Sequence, residues 1–81
     1  MDIENLVKMA NNIADFFQAE PEREAAVAGV TEHLRRFWES RMRVAIVKHH
    51  QAGGAGLSEI AREAVSRLAH EQEHSAQAGH G

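Results

Sequence analysis

Apolar residues recur at the spacing of an α-helix through most of this 81-residue chain. No segment alternates apolar and polar residues as a half-buried β-strand does, and no internal repeat appears. The sequence therefore predicts an all-α protein, a small bundle of about four short helices. The first helix follows a capping Asp2 and runs to about Ala19, with its apolar stripe at Ile3, Leu6, Val7, Ala10, Ile13, Ala14 and Phe17.

A second helix follows the break at Glu20-Pro21, and Pro21 is predicted to be its first residue because proline suits that position. Gly29 lies inside this helix, where glycine costs about 1 kcal/mol relative to alanine. Close packing of another element against the backbone would explain a glycine there. The helix carries a second apolar series: Ala26, Val27, Val30, Leu34, Phe37 and Trp38.

Two further helices are predicted from their caps and from the glycines between them. Ser40 can cap a third helix over residues 41–51, which the glycines of residues 53–56 then end. Ser58 can cap a fourth. Since no strand precedes the glycines and no G-K-[ST] follows them, we interpret them as a turn between helices and not as a phosphate-binding loop. The apolar stripe of the fourth helix is Ile60, Ala61, Ala64, Val65 and Leu68.

The end of the chain has the composition of a disordered tail. From Glu71 onward the residues are polar or small, without an apolar period, so we predict a folded domain over 1–70 and a tail over 71–81. His70 to His74 match the zinc-protease pattern H-E-x-x-H. His80 falls at the third-ligand spacing of the longer metzincin pattern. We reject a catalytic zinc site, because the chain ends one residue after His80, leaving no room for a Met-turn, and 81 residues cannot also supply a substrate cleft. A His-containing tail of this kind binds metal adventitiously at most.

The length and the absence of cysteine limit how such a chain can be stabilised. A domain of this size buries only about 60–65% of its extended surface, so association with another chain is a common reinforcement. Without cysteine, disulfides and thiolate metal sites are excluded, which fits a reducing compartment. No apolar run approaches the roughly 20 residues of a membrane span, and no signal peptide opens the chain. We therefore expect a soluble, cytoplasmic protein that makes no membrane contact.

Charge is distributed unevenly along the sequence. Residues 1–34 hold seven acidic and two basic side chains, a net charge of −5, whereas residues 35–48 hold five basic and one acidic, a net charge of +4. The remainder carries −2. Such a basic segment requires acidic counterparts, either on the chain's own helices or on a partner. Helix two, the break and helix three could mimic a helix-turn-helix, so nucleic-acid binding stays open as an alternative. We do not expect it, because the acidic remainder would repel phosphates and helix three exposes few amide or hydroxyl groups for reading bases.

The segment HLRRFWESRMR, residues 33–43, is the strongest candidate for an interface. Trp and Arg are enriched at binding hot spots because they combine large area with directed polar contacts. Phe37 and Trp38 point about 100° apart on a helix, so both cannot enter one narrow seam. Met9 and Phe16 also widen the stripe of helix one beyond the needs of a small core. The predicted partner surface is Arg35, Phe37, Trp38, Arg41, Met42 and Arg43, with Ile13, Phe16 and Phe17 as second candidates.

A purely structural interpretation of the same segment stays open. In that alternative Trp38 is an ordinary core residue and the arginines are merely solvated around it. Its consequence is that Trp38→Ala would unfold the domain instead of weakening an association. The apolar surplus also leaves open a free-standing helical adaptor or a homo-oligomer, in which copies of this chain bind one another.

Three separated blocks resemble one known family. The segments ENLVKMANNIADFF (4–17), HLRRFWESRMR (33–43) and GLSEIAREAV (56–65) are similar to the delta subunit of NAD-dependent formate dehydrogenase, the soluble molybdenum- or tungsten-containing type of bacteria. The resemblance covers about residues 3–68. Ser40 departs from it, since the family often has proline at that position, and a serine cap could replace the forced break there.

The resemblance implies a non-catalytic accessory chain without cofactors of its own. It would dock on the catalytic alpha subunit, and through it on the beta and gamma subunits, to support assembly, maturation or stability. The parent enzyme oxidises formate and passes electrons to NAD. Its bis-pterin molybdenum or tungsten cofactor, iron–sulfur clusters, FMN and NAD are expected in the partner subunits. The residues agree with this expectation, because the chain offers no cysteines for clusters, no nucleotide loop and no credible catalytic group.

Overall fold

Four helices make up the computed structural model, which describes the backbone of residues 2–78 and the side chains of residues 2–72. They are α1 (Ile3–Phe17), α2 (Arg23–Phe37), α3 (Ser40–Gln51) and α4 (Glu59–Ala78). Over the described backbone there is no strand. The predicted all-α bundle of four helices is confirmed.

Two of the predicted helix caps are present. The Asp2 carboxylate accepts a hydrogen bond from the backbone N–H of Glu4 at 3.1 Å. The Ser58 hydroxyl accepts one from the N–H of Ala61 at 3.4 Å, at the start of α4. Each satisfies a backbone donor that the first turn of a helix leaves without an intrahelical acceptor.

Two predicted helix starts were wrong by one or two positions. α2 begins at Arg23 after Glu22, and Pro21 lies in the preceding turn instead of opening the helix. Glu39 is the N-cap of α3, and Ser40 is its first helical residue, so Ser40 does not cap. In both turns the extended backbone of the residue before the helix sets the start, and side-chain capping chemistry plays no part.

The four helices pack against one another as a bundle. α2 packs most extensively on α4, and α3 also packs on α4. α1 contacts all three other helices. α2 and α3 are consecutive in sequence and meet chiefly at the corner between them, where Arg43 of α3 donates to the carbonyl of Trp38.

A single apolar core fills the centre of the bundle, with contributions from all four helices. The one buried polar side chain among those described is Thr31, whose hydroxyl donates to the carbonyl of Val27 at 2.8 Å and so carries no uncompensated polar cost. Leu34, Ile46, Val27, Val30 and Val65 are the largest fully buried side chains.

The turn between α3 and α4 is held by side chains from two helices. Asn11 donates to the carbonyl of Gly56 at 2.9 Å and accepts from the N–H of Ser58 at 2.8 Å. Arg62 donates to the carbonyls of Gly53 and Gly54 at 2.9 and 3.0 Å. Gly54 has a φ of 66°, which favours glycine. The glycine segment is a turn between helices, as predicted, and it is fixed from within the chain.

The C-terminal helix extends beyond the predicted domain boundary. α4 runs past Glu71, the first residue of the predicted tail, and Glu71 itself contacts α2. The rest of the tail prediction, residues 73–81, lies outside the described side chains.

Candidate protein-docking surface

Arg35, a predicted interface residue, joins two helices of its own chain. Its Nε donates to Oε1 of Glu71 at 3.0 Å, and a second guanidinium nitrogen pairs with the other oxygen of that carboxylate. It also pairs with Glu32 one turn earlier in α2. The hydrogen bond with Glu71 is the main cause that raises the pKa of Arg35 above its ordinary value. Part of the basic segment thus finds its acidic counterpart within the molecule.

Arg43 fixes the corner between α2 and α3. Its guanidinium donates to the carbonyl of Trp38, to the carbonyl of Arg35 at 3.3 Å and to the hydroxyl of Ser40 at 3.1 Å. Carbonyls in the last turn of a helix lack intrahelical donors, and a basic side chain there satisfies them. Arg43 is therefore a structural residue of this corner.

Trp38 and Phe37 have opposite environments, as their angular separation on a helix predicts. Trp38 is 5% exposed and belongs to the core, whereas Phe37 is 71% exposed. The placement of Trp38 on a docking surface is corrected here, because almost none of its indole is left for a partner. Met42 is half-buried against the core, and Arg41 is exposed on α3.

An apolar groove lies along the outer side of α1 and α2. Ile13, Phe16, Phe17 and His33 line it together with Asn12, and its volume is about 360 Å³. Phe16 and Phe17 pack edge to face, with ring centroids 5.2 Å apart. Phe37 continues the surface, since its ring lies 4.9 Å from that of His33. We call this surface the aromatic groove and define it by Ile13, Phe16, Phe17, His33 and Phe37.

The register of α1 and α2 explains why these side chains come together. The inner side of α1 buries Leu6, Ala10 and Ala14, so the neighbouring stripe of Ile13, Phe16 and Phe17 faces outward and toward α2. On α2, His33 and Phe37 are four residues apart and share a side of the helix. Sequence reasoning named Phe16, Phe17 and Phe37 but missed His33, whose spacing from Phe37 was the available signal.

Gly29 allows Phe17 to lie flat against α2. A Cβ atom at position 29 would come within 2.5 Å of Cδ1 and 2.6 Å of Cε1 of the Phe17 ring. Real side chains do not approach so closely, so any larger residue would displace the ring. The prediction that close packing accounts for this glycine is confirmed.

Gly29→Ala is expected to destabilise the chain by about 1 kcal/mol. Displacing a packed ring costs about 1–3 kcal/mol, and the better helix propensity of alanine offsets about 1 kcal/mol of that. In a Phe17→Ala background the ring is absent, so the same substitution should stabilise the chain. Urea denaturation of the four proteins in this cycle measures the change of sign. An effect of the same sign in both backgrounds would show that Phe17 is not the reason for the glycine.

The aromatic groove is the largest concentration of exposed aromatic surface among the described residues. Phe16 is 76% exposed and Phe37 is 71% exposed. Leaving a side chain of this size in water is unfavourable in free energy compared with burying it. Aromatic residues are also enriched at protein interfaces. The groove has the features of a surface that another protein covers.

The model of one protein family matches residues 5–65, three quarters of the chain. Its description is NADH-dependent formate dehydrogenase delta subunit FdsD. The chain belongs to this family. The resemblance of the three sequence blocks is thereby confirmed, and the matched range contains every residue of the aromatic groove. Searches of curated proteins and of solved structures found no match.

Membership of the FdsD family implies association with a formate dehydrogenase complex and suggests an accessory subunit. Among the helices described, none is long and apolar enough to cross a membrane. Within residues 2–72 no three His, Asp or Glu side chains form a group that could hold a metal ion. In the H-E-x-x-H match, Glu71 is paired with Arg35, and the side chain of His74 lies outside the described residues, as does that of His80 beyond the match.

Proposed function

We propose that this chain is a non-catalytic delta subunit that docks on the catalytic alpha subunit of an NAD-dependent formate dehydrogenase through the aromatic groove. The observation that carries the proposal is a pair of exposed rings in a member of the FdsD family: Phe16 lines the groove, and Phe37 adjoins it beside His33. The consequence of docking is support of assembly, maturation or stability of the complex. Contact with the beta and gamma subunits is then indirect, through the alpha subunit.

The energetics favour a partner that covers the groove. Burial of a phenylalanine side chain contributes about 1.5–3 kcal/mol, so two mostly exposed rings offer about 3–6 kcal/mol before the costs of association. Ile13 and Phe17 add further apolar contact area to the groove. Both are already held by packing against the core, so they lose little conformational freedom on binding. An apolar helix or loop of the alpha subunit is the kind of segment that fits such a groove.

The chemistry of the complex belongs to its other subunits in this proposal. The residues of this chain do not fit the expected cofactors, since it has no cysteine for iron–sulfur clusters and no described group of metal ligands. We therefore assign the bis-pterin molybdenum or tungsten cofactor, the clusters, FMN and NAD to partner subunits. The absence of cysteine is also consistent with the proposed location of the protein in the reducing cytoplasm.

A pull-down with the tagged full chain from its native cell extract tests the proposal. We expect the eluate to contain the alpha subunit, identified by mass, and to reduce NAD when formate is added. A variant with both exposed rings replaced serves as the matched control. If the wild-type chain elutes without formate dehydrogenase under gentle conditions, the proposal is overturned.

Self-association through the same groove is the competing function, and it has a separate signature. Copies of the chain could cover Phe16 and Phe37 with one another, as a free-standing adaptor or homo-oligomer would. The mass of the purified chain would then rise with concentration and the wild-type pull-down would lack formate dehydrogenase activity. A constant monomeric mass combined with recovery of that activity favours the subunit.

A further inference from the structure

Most of the basic side chains are committed to contacts within the chain. Arg23 pairs with Glu63 at 2.7 Å, Arg67 with Glu24 at 2.6 Å, and Arg35 with Glu71. Arg43 and Arg62 donate to backbone carbonyls at the two helix corners. These contacts join α2 to α4 and stabilise the turns. The cations that make them are therefore already paired within the chain, although the sequence alone suggested them for binding a partner.

Two cations on α3 stand apart from this pattern. Among the side chains of residues 2–72, neither Arg41 nor Lys48 makes an ion pair, and both are exposed. Val44 lies between them and is 44% exposed. The spacing of three and then four residues places all three on one side of the helix. We call these three residues the α3 face.

The α3 face borders a second groove, which is lined by residues of α2, α3 and α4. Val44 lines this groove together with Leu68 and with the Arg35–Glu71 pair, and its volume is about 630 Å³. The two grooves share no lining residue, so they are separate surfaces of the bundle.

We infer that the α3 face is a second docking surface, which binds an acidic segment of a formate dehydrogenase subunit. Arg41 and Lys48 are seven residues apart, about 10 Å along a helix. The segment that fits them carries two carboxylates at about that separation and an apolar side chain between them to cover Val44. This inference rests on the proposed function, and it makes the chain a connector with an apolar side and a basic side.

Charge complementarity selects a protein partner over nucleic acid. The chain carries a net charge of −3, and Glu71 lies in the groove that Val44 lines. If Arg41 and Lys48 neutralised two phosphates, about two counterions would be released from the nucleic acid. The logarithm of the binding constant would then fall with the logarithm of the salt concentration with a slope of only about −2. An acidic protein segment gains the same ion pairs and also buries Val44, which a phosphate backbone does not.

Charge reversal on α3 tests the inference in the full-length chain. The double variant Arg41→Glu/Lys48→Glu is compared with wild type by pull-down from native extract at about 50 and 500 mM NaCl, with the recovered formate dehydrogenase activity per tagged chain as readout. We expect about a tenfold loss of recovery at low salt for the double variant, because reversed charges repel the acidic segment. Lys8→Glu reverses an exposed charge on α1, away from the α3 face in sequence, and is the control for charge reversal elsewhere on the chain. It should stay within about twofold of wild type.

Each outcome decides the matter. Selective loss for Arg41→Glu/Lys48→Glu, with a far-ultraviolet spectrum like that of wild type, supports the inference. Recovery equal to wild type at both salt concentrations overturns it and leaves the aromatic groove as the docking surface. Recovery of nucleic acid that depends on Arg41 and Lys48, with unchanged enzyme, also overturns it. If wild type itself recovers no formate dehydrogenase, the proposed function fails together with this inference.

Discussion

Trp38→Ala is expected to lower the free energy of unfolding by about 3–5 kcal/mol, the usual cost of removing a buried tryptophan. Trp38 is 5% exposed in a core that a chain of 81 residues has few other large side chains to fill. It also ends α2, and its carbonyl accepts a hydrogen bond from Arg43. Since a small domain has about 5–15 kcal/mol of stability in all, the variant should be close to unfolded at physiological temperature.

Phe37→Ala is the matched control for this prediction. Phe37 is adjacent in sequence and also aromatic, but it is 71% exposed, so its loss should change stability by no more than about 0.5 kcal/mol. Urea denaturation followed by circular dichroism measures both variants without relying on tryptophan fluorescence. Equal destabilisation by the two substitutions would contradict the assignment of Trp38 to the core and Phe37 to the surface.

Replacing both exposed rings, Phe16→Ser with Phe37→Ser, is expected to weaken association with formate dehydrogenase by about 30-fold or more. Truncating a single hot-spot side chain costs about 2 kcal/mol or more, and at 1.4 kcal/mol for each factor of ten one such side chain already accounts for about 30-fold. The folded chain should be unaffected or slightly more soluble, because both rings face solvent when the chain is alone. Recovery of the complex per tagged chain, at equal helix content, is the measurement.

A second double variant with conservative substitutions distinguishes the loss of apolar contact with the partner from a loss of folding. Phe16→Leu with Phe37→Leu keeps apolar side chains at both positions and should retain most of the recovery. The loss in the serine variant should also be insensitive to salt, unlike the loss caused by charge reversal on α3. If the serine pair associates as well as wild type, the aromatic groove is not the docking surface.

The sequence predicted the helices well because their determinants are local. The stripe from Ile3 to Phe17 and the caps at Asp2 and Ser58 act over four residues or fewer, and each was found where predicted. Gly29 was likewise assigned to close packing from its cost alone. Pro21 was assigned to the helix wrongly because proline is also common in turns, including the turn before a helix.

The surface was harder to predict, because a pattern of spacing does not say which side of a helix the fold covers. Phe37 and Trp38 are equally apolar in sequence, and only the packing of the bundle buries one and exposes the other. The partners of Arg35 and Arg43 were similarly hidden. Glu71, the partner of Arg35, lies 36 residues away in a segment without apolar periodicity. The partners of Arg43 include backbone carbonyls, which every residue has and which a sequence pattern therefore cannot indicate.

Hydroxyl-radical footprinting of the chain alone and within purified formate dehydrogenase tests the central claim most directly. The method reports the solvent exposure of individual aromatic side chains, and Trp38, buried in the free chain, is an internal reference. Docking through the aromatic groove predicts that oxidation of Phe16 and Phe37 falls severalfold in the complex while Trp38 stays protected in both samples. Equal oxidation of Phe16 and Phe37 in the free chain and in the complex would contradict it.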